Sequence, residues 1–128
     1  MNVQDLFARY QAGERDFQNV NLSGADLTEA ELQGINLSYA DLSGANLSAA
    51  KLNGANLTGA NLTGANLSGT IFNRATLIDA ILIESDLSWA DLGETNLTGA
   101  DLSNANMKMT IIIRARFKDT TMPDGTQR

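Results

Sequence analysis

The sequence predicts an all-β solenoid, a four-sided parallel β-helix closed at its start by a short α-helix. Three observations carry that prediction. An apolar residue recurs at every fifth position from Phe17 to Met122, 22 times without a polar interruption. Two positions before these centres stands Ala in 14 of the 22 units, with Thr, Ser, Val or Ile in most of the others. Within the repeat, charges 20 residues apart are opposite in sign and never alike.

A period of five suits neither regular element alone. On a helix the centres would scatter around the axis, each rotated by about 140° from the last. On a straight strand they would alternate between faces. The period fits a chain that runs extended for three residues, turns a corner and repeats. The centre and the residue two before it then share the inward face, as in the stretch Leu52–Ser68, LNGANLTGANLTGANLS. Ser or Thr follows the centre in 11 units and Gly comes next in eight, which is corner chemistry. An internal repeat of this kind stacks coil on coil, each covering the one beneath.

The number of sides follows from charge. With four sides, residues 20 apart lie one above the other, about 4.8 Å apart. Glu31 then meets Lys51, Arg74 meets Glu94, and Glu94 meets Arg114. Three sides would instead stack Asp16 on Glu31, Asp26 on Asp41, Asp79 on Glu94 and Asp86 on Asp101. Like charges directly opposed are destabilising, so four sides are expected.

Units such as Ala45-Asn46-Leu47-Ser48 and Ala60-Asn61-Leu62-Thr63-Gly64 resemble the A(D/N)LXX motif of the pentapeptide repeat family. The resemblance runs from about Arg15 to Asp124. It implies a right-handed, four-sided parallel β-helix.

The elements divide into residues 1–14, 15–124 and 125–128. In the first, Val3, Leu6, Phe7 and Tyr10 fall at helical spacing, Asn2 can cap the start and Gly13 the end. The helix is expected to cover the open first coil, with Phe17 beneath it and Phe117 filling the same inward column at the far end. Asp or Asn precedes the centre in 14 units, and these side chains are expected to bond nearby backbone amides rather than do chemistry. Regularity weakens over Thr70–Glu84, where Ile71, Thr76 and Ile81 replace Asp or Asn, and again over Met107–Met122. Pro123-Asp124-Gly125 reads as the turn that stops the coil, followed by a short tail.

Composition narrows function. The chain has no His and no Cys, which removes Ser-His, Cys-His and His-metal arrangements, so neither an enzyme nor a cofactor or metal site is expected. The G-G-x-G-x-D signature of calcium-binding β-rolls is absent. A net charge of −6 disfavours nucleic acid and anionic membrane as partners. The start carries an acid at position 5 and no long apolar run, unlike a signal peptide, so a cytoplasmic protein is expected.

Two non-enzymatic readings remain. The first is a scaffold binding an unidentified protein, monomeric or weakly dimeric. Its candidate surface is an apolar wall of Ile71, Trp89, Met109, Ile111 and Ile113 beside a charged ladder of Arg74, Glu94 and Arg114. The second comes from the resemblance, which includes proteins that mimic DNA and inhibit or protect type II topoisomerases such as gyrase. Against it, the column Asp26, Asn46, Asn66, Asp86, Asn106 carries more Asn than Asp, far less charge than a phosphate backbone.

Overall fold

In the computed structural model, which describes residues 1–128, one helix precedes an uninterrupted solenoid. Every bridge within the solenoid is parallel and joins residues 20 apart, from Asp16–Asn36 to Asp101–Thr121. One coil therefore holds four units and four turns, as the charge pattern requires. No side forms a continuous strand, because each contributes a single bridged residue between turns. The extended segment expected from the repeat is that short because its remaining residues are spent on the corner.

One unit shows how the backbone is satisfied. Asn46 N–H donates down to Ala25 O at 2.9 Å, while Leu47 and Ala49 N–H donate up to Asn66 O and Ser68 O at 2.8 and 2.9 Å. Ala45 N–H closes the turn below it onto Leu42 O at 3.0 Å. The Ser48 N–H is left out of this ladder. Asn46 Oδ1 accepts it at 3.0 Å, an Asx turn. All 14 Asp and Asn residues at this position of the unit accept the amide two residues on. Their place in the repeat is thus a backbone requirement.

The inside is a column of apolar residues, which with Leu6 of the N-terminal segment make one cluster of 32 buried residues. Burying a leucine centre contributes roughly 1.5–3 kcal/mol. Where Thr replaces the inward Ala, its hydroxyl stays paired: Thr70, Thr95 and Thr120 donate to the carbonyls of Leu47, Phe72 and Leu97, each at 2.7 Å. Ser85 at the equivalent place is buried with its Oγ unpartnered.

The corner imposes the main strain. Each turn needs a positive φ at the second residue after the centre, the third position of a type II turn. Glycine supplies it in eight units, but 13 other residues, Ala49 (φ 58°) and Trp89 (φ 63°) among them, adopt it as well. Gly59 is needed for a second reason, since a Cβ there would run into the Tyr39 ring lying over it.

The two ends are closed differently. Helix α1, Val3–Gln11, starts at Asn2, whose side chain accepts from Asp5 N–H, and buries Leu6 completely. It caps two ladder carbonyls of the first coil: the Met1 amino group donates to Asn21 O at 3.0 Å, and Tyr10 Oη to Gln33 O at 2.7 Å. Phe17 is buried beneath it. Phe7, expected on the buried face, remains 38% exposed. At the other end the chain turns at Pro123–Gly125, and residues 126–128 pair back antiparallel on 120–122, with Met122 N–H donating to Thr126 O at 2.7 Å. This covers only one of four sides. Phe117, expected to be buried like Phe17, stays half-buried with the Arg128 guanidinium 5.1 Å from its ring.

Two measurements check this account. Ala49→Gly, at an exposed corner, should raise stability by about 1 kcal/mol, because glycine adopts positive φ without the Cβ penalty; an unchanged or lower urea midpoint contradicts the corner argument. The second concerns acid. The Thr28 and Ser43 hydroxyls and amides hold the Asp26 and Asp41 carboxyls below the ordinary aspartate value. Their folded pKa values lie below the unfolded ones, so the stability they contribute is complete above about pH 4 and is lost as pH falls through the folded values. Asn offers the same acceptor without titrating, so Asp26→Asn/Asp41→Asn should flatten the fall in urea midpoint below about pH 4. A slope matching the parent protein contradicts the assignment.

Candidate functional site

Most of the outside is Ser, Thr, Asn and Asp already engaged with backbone, so chemistry must be sought where that pattern breaks. It breaks most sharply in the last two coils. Of nine exposed large apolar residues, Trp89, Met109, Ile111, Ile112 and Ile113 are five, and all lie there.

Trp89 and Met109 stand at the same corner of successive coils, 65% and 58% exposed, with Trp89 N–H donating to Lys108 O at 3.1 Å. Both have positive φ, which turns their side chains outward at the corner. The chain then enters the side carrying Ile111 and Ile113. Leu92 N–H donates to Ile111 O and Glu94 N–H to Ile113 O, at 2.8 and 3.0 Å, which fixes that side above Asp91–Glu94. Trp89 and Met109 thus share one corner, and Ile111 and Ile113 lie on the side that follows it.

Ile71 is not part of that group. The bridges run Ile71–Asp91–Ile111, so an acid intervenes, and Ile71 is half-buried. Asp91 is itself engaged: its Oδ1 accepts from Gly93 N–H at 2.9 Å and from Asn73 Nδ2 at 3.2 Å. Ile71 shares the side of Ile111 but lies two coils away from it.

The charged ladder forms as the offset of 20 requires. Glu94 Oε2 lies 3.5 Å from Arg74 Nε, and Oε1 lies 3.6 Å from Arg114 Nη2. Glu31 and Lys51 pair likewise at 3.6 Å. All these groups are well exposed, so each pair contributes at most about 1 kcal/mol and mainly holds side chains in place. Beside the ladder lies a shallow polar depression of ≈ 450 Å³ lined by Asn53, Gly54, Asn73, Arg74 and Glu94. A second, of ≈ 280 Å³, joins Asp91, Gly93 and Arg114 to Ile111 and Ile113.

Sequence reasoning missed Ile112. It is a repeat centre, yet it is 42% exposed, because the chain turns back at Pro123 instead of laying another coil over it. Its isoleucine flanks give no sign of this, since Leu82 between Ile81 and Ile83 is fully buried. No group of His, Cys, Asp and Glu is arranged to hold a metal ion, and no helix is long and apolar enough to cross a membrane.

Comparison with known proteins agrees with this geometry. The family described as pentapeptide repeats matches in eight copies, over residues 16–54, 40–79 and 80–119. The crystal structure of alr5209, a pentapeptide repeat protein from Nostoc PCC 7120, is 32% identical with a TM-score of 0.76, covering 90% of this chain and 94% of its own. Rfr23, from the cyanobacterium Cyanothece 51142, is 26% identical with a TM-score of 0.59, covering 97% of each chain. A pentapeptide repeat protein of the Arabidopsis thaliana thylakoid lumen shares the fold at 23% identity and a TM-score of 0.56, covering 92% of this chain and 72% of its own. No curated protein matches significantly. With repeats matched throughout residues 16–119, the chain belongs to the pentapeptide repeat family.

Proposed function

We propose that this protein is a non-catalytic scaffold, a right-handed four-sided β-helix that binds a protein partner through the apolar end of its rod. The observation that carries this reading is the gathering of Trp89, Met109, Ile111 and Ile113 on adjacent sides of the last two coils, beside the Arg74–Glu94–Arg114 ladder. Elsewhere on the rod Tyr39 and Ile81 are the exposed large apolar residues, and they stand apart from this group. Clustered apolar residues rimmed by charge are the composition of a binding patch. The reading places the protein in the cytoplasm as a monomer or weak homodimer, with no cofactor.

The non-catalytic part rests on chemistry. General acid–base or nucleophilic catalysis would have to come from carboxylates, and the column most populated with them binds backbone amides instead. The DNA-mimic reading has less support. Asp26, Asn46, Asn66, Asp86 and Asn106 do stack in one bridged column, but three of the five are neutral.

The test compares the protein with Trp89→Ser/Ile111→Thr/Ile113→Thr, which installs the outward residues this repeat uses elsewhere. The variant should melt within a few degrees of the parent, yet lose a partner recovered with the parent from the source cell. If the two proteins keep the same fold, oligomeric state and recovered partners, the surface is not an interface.

A further inference from the structure

The last coil has a property that the apolar wall alone does not explain. Each coil donates two N–H groups per side to the coil above, from the centre and from the second residue after it. In the last coil, the N–H groups of Met107, Met109, Ile112, Arg114, Phe117 and Asp119 find no acceptor, and the carbonyls of Ala105, Thr110 and Ala115 find no donor. These are unpaired edge groups of a sheet, set around an exposed Ile112 and a half-buried Phe117. On the fourth side the chain itself shows what fits there, an antiparallel segment making three backbone bonds, between Thr120–Met122 and Thr126–Arg128.

Charge selects the occupant. Residues 106–128 hold five cations (Lys108, Arg114, Arg116, Lys118, Arg128) against two acids, a net of +3. Residues 1–105 therefore carry −9 of the chain's total of −6. The rod is acidic along its body and basic at this edge. A second copy meeting it end to end would oppose +3 with +3. One stacking head to tail would meet helix α1, beside which Met1 and Tyr10 already donate to the edge carbonyls of Asn21 and Gln33.

Resting on the scaffold reading above, we infer that the open edge at Thr110–Arg114 receives a short extended segment of a partner protein, acidic with interleaved apolar residues, added antiparallel as a further strand. Ile112 and Arg114 N–H donate to it and Thr110 O accepts. Alternate side chains of the segment cover Ile112, while its acids face Lys108 and Arg116, which flank this side. Backbone bonds supply the register and the pockets supply selectivity, as in other strand additions. The side is only five residues long, so the occupant makes a few bonds and depends strongly on charge. Basic residues on a sheet edge commonly deter self-pairing. Here the same residues leave the edge open to an acidic strand and closed to a copy of itself.

The probe is a fluorescein-labelled ten-residue peptide alternating Glu and Val, with a Lys-and-Val peptide as control, each titrated onto the full chain. The Glu peptide should bind at low salt, weaken by about tenfold as screening increases, and slow hydrogen exchange at Ile112 and Arg114. The Lys peptide should bind at least about tenfold more weakly, and Lys108→Glu/Arg116→Glu should reverse the preference. The inference fails if the Glu peptide leaves those two amides unprotected, if both peptides bind alike, or if the double variant keeps the original preference. It also fails if sedimentation shows a dimer that protects the same amides without peptide. Failure of the peptide with retained loss of partner in the Trp89/Ile111/Ile113 variant would remove this inference and leave the scaffold reading standing.

Discussion

The structure depends on one constraint: the chain must close a coil in 20 residues so that each backbone group meets its counterpart in the next. The bridges observe that spacing from Asp16 to Thr121 without a slip. The other features follow from it. Sides of five residues leave room for one bridged position and one turn, so the turn must be tight and its third residue must take positive φ. Thirteen non-glycine residues accept that strain, most of them at corners fixed by inter-coil hydrogen bonds on both flanks. The ladder then omits one amide per unit, which is why Asp or Asn recurs before the centre. The tube is too narrow for two large side chains to face each other, which is why Ala alternates with Leu.

A stacked coil also creates a problem that its interior does not have. The first coil lacks a neighbour below and the last lacks one above, so both edges hold unpaired backbone groups and exposed centres. At the start, helix α1 supplies Leu6 as a plug and the Met1 amino group and Tyr10 hydroxyl as donors. Arg9 and Arg15 stack over Phe17 and Tyr10 at 4.9 and 3.7 Å, tying the helix to the rod. At the finish, a three-residue antiparallel segment covers one side alone. This asymmetry between a covered acidic end and an open basic one gives the rod a direction, and it concentrates the candidate surface in the last two coils.

Much of this was legible in the sequence. The inward columns, the 20-residue offset and the amide-binding role of Asp and Asn are properties of a unit and its equivalents, and the repeat displays the first two throughout its 22 units and the third in 14 of them. Glu31, Lys51, Arg74, Glu94 and Arg114 were enough to separate four sides from three. What was not legible depends on what lies beyond a residue rather than on the residue. Ile112 has the same place in its unit as Leu92, yet only Leu92 has a coil above it. Phe7 matches the helical stripe but finds no surface to cover. Ile71 belongs to the same side as Ile111, but the intervening Asp91 becomes decisive only when the coils are stacked. Ser85 differs from Thr70 by one methyl group, and periodicity gives no sign that its hydroxyl would lack the bond that Thr70 makes.

The most direct test of the 20-residue closure uses the absence of cysteine from the chain. Ser23 and Ser43 stack in adjacent coils with their hydroxyl oxygens 3.2 Å apart. Strand-like stacking at about 4.8 Å lies within the Cα range of an unstrained disulfide. Ser23→Cys/Ser43→Cys should therefore oxidise readily to an intramolecular disulfide with the melting temperature retained or raised. Ser43→Cys/Thr58→Cys, offset by 15, should remain reduced in the folded protein. Rapid cross-linking of the second pair, with the first remaining reduced, would show a three-sided coil and contradict the account.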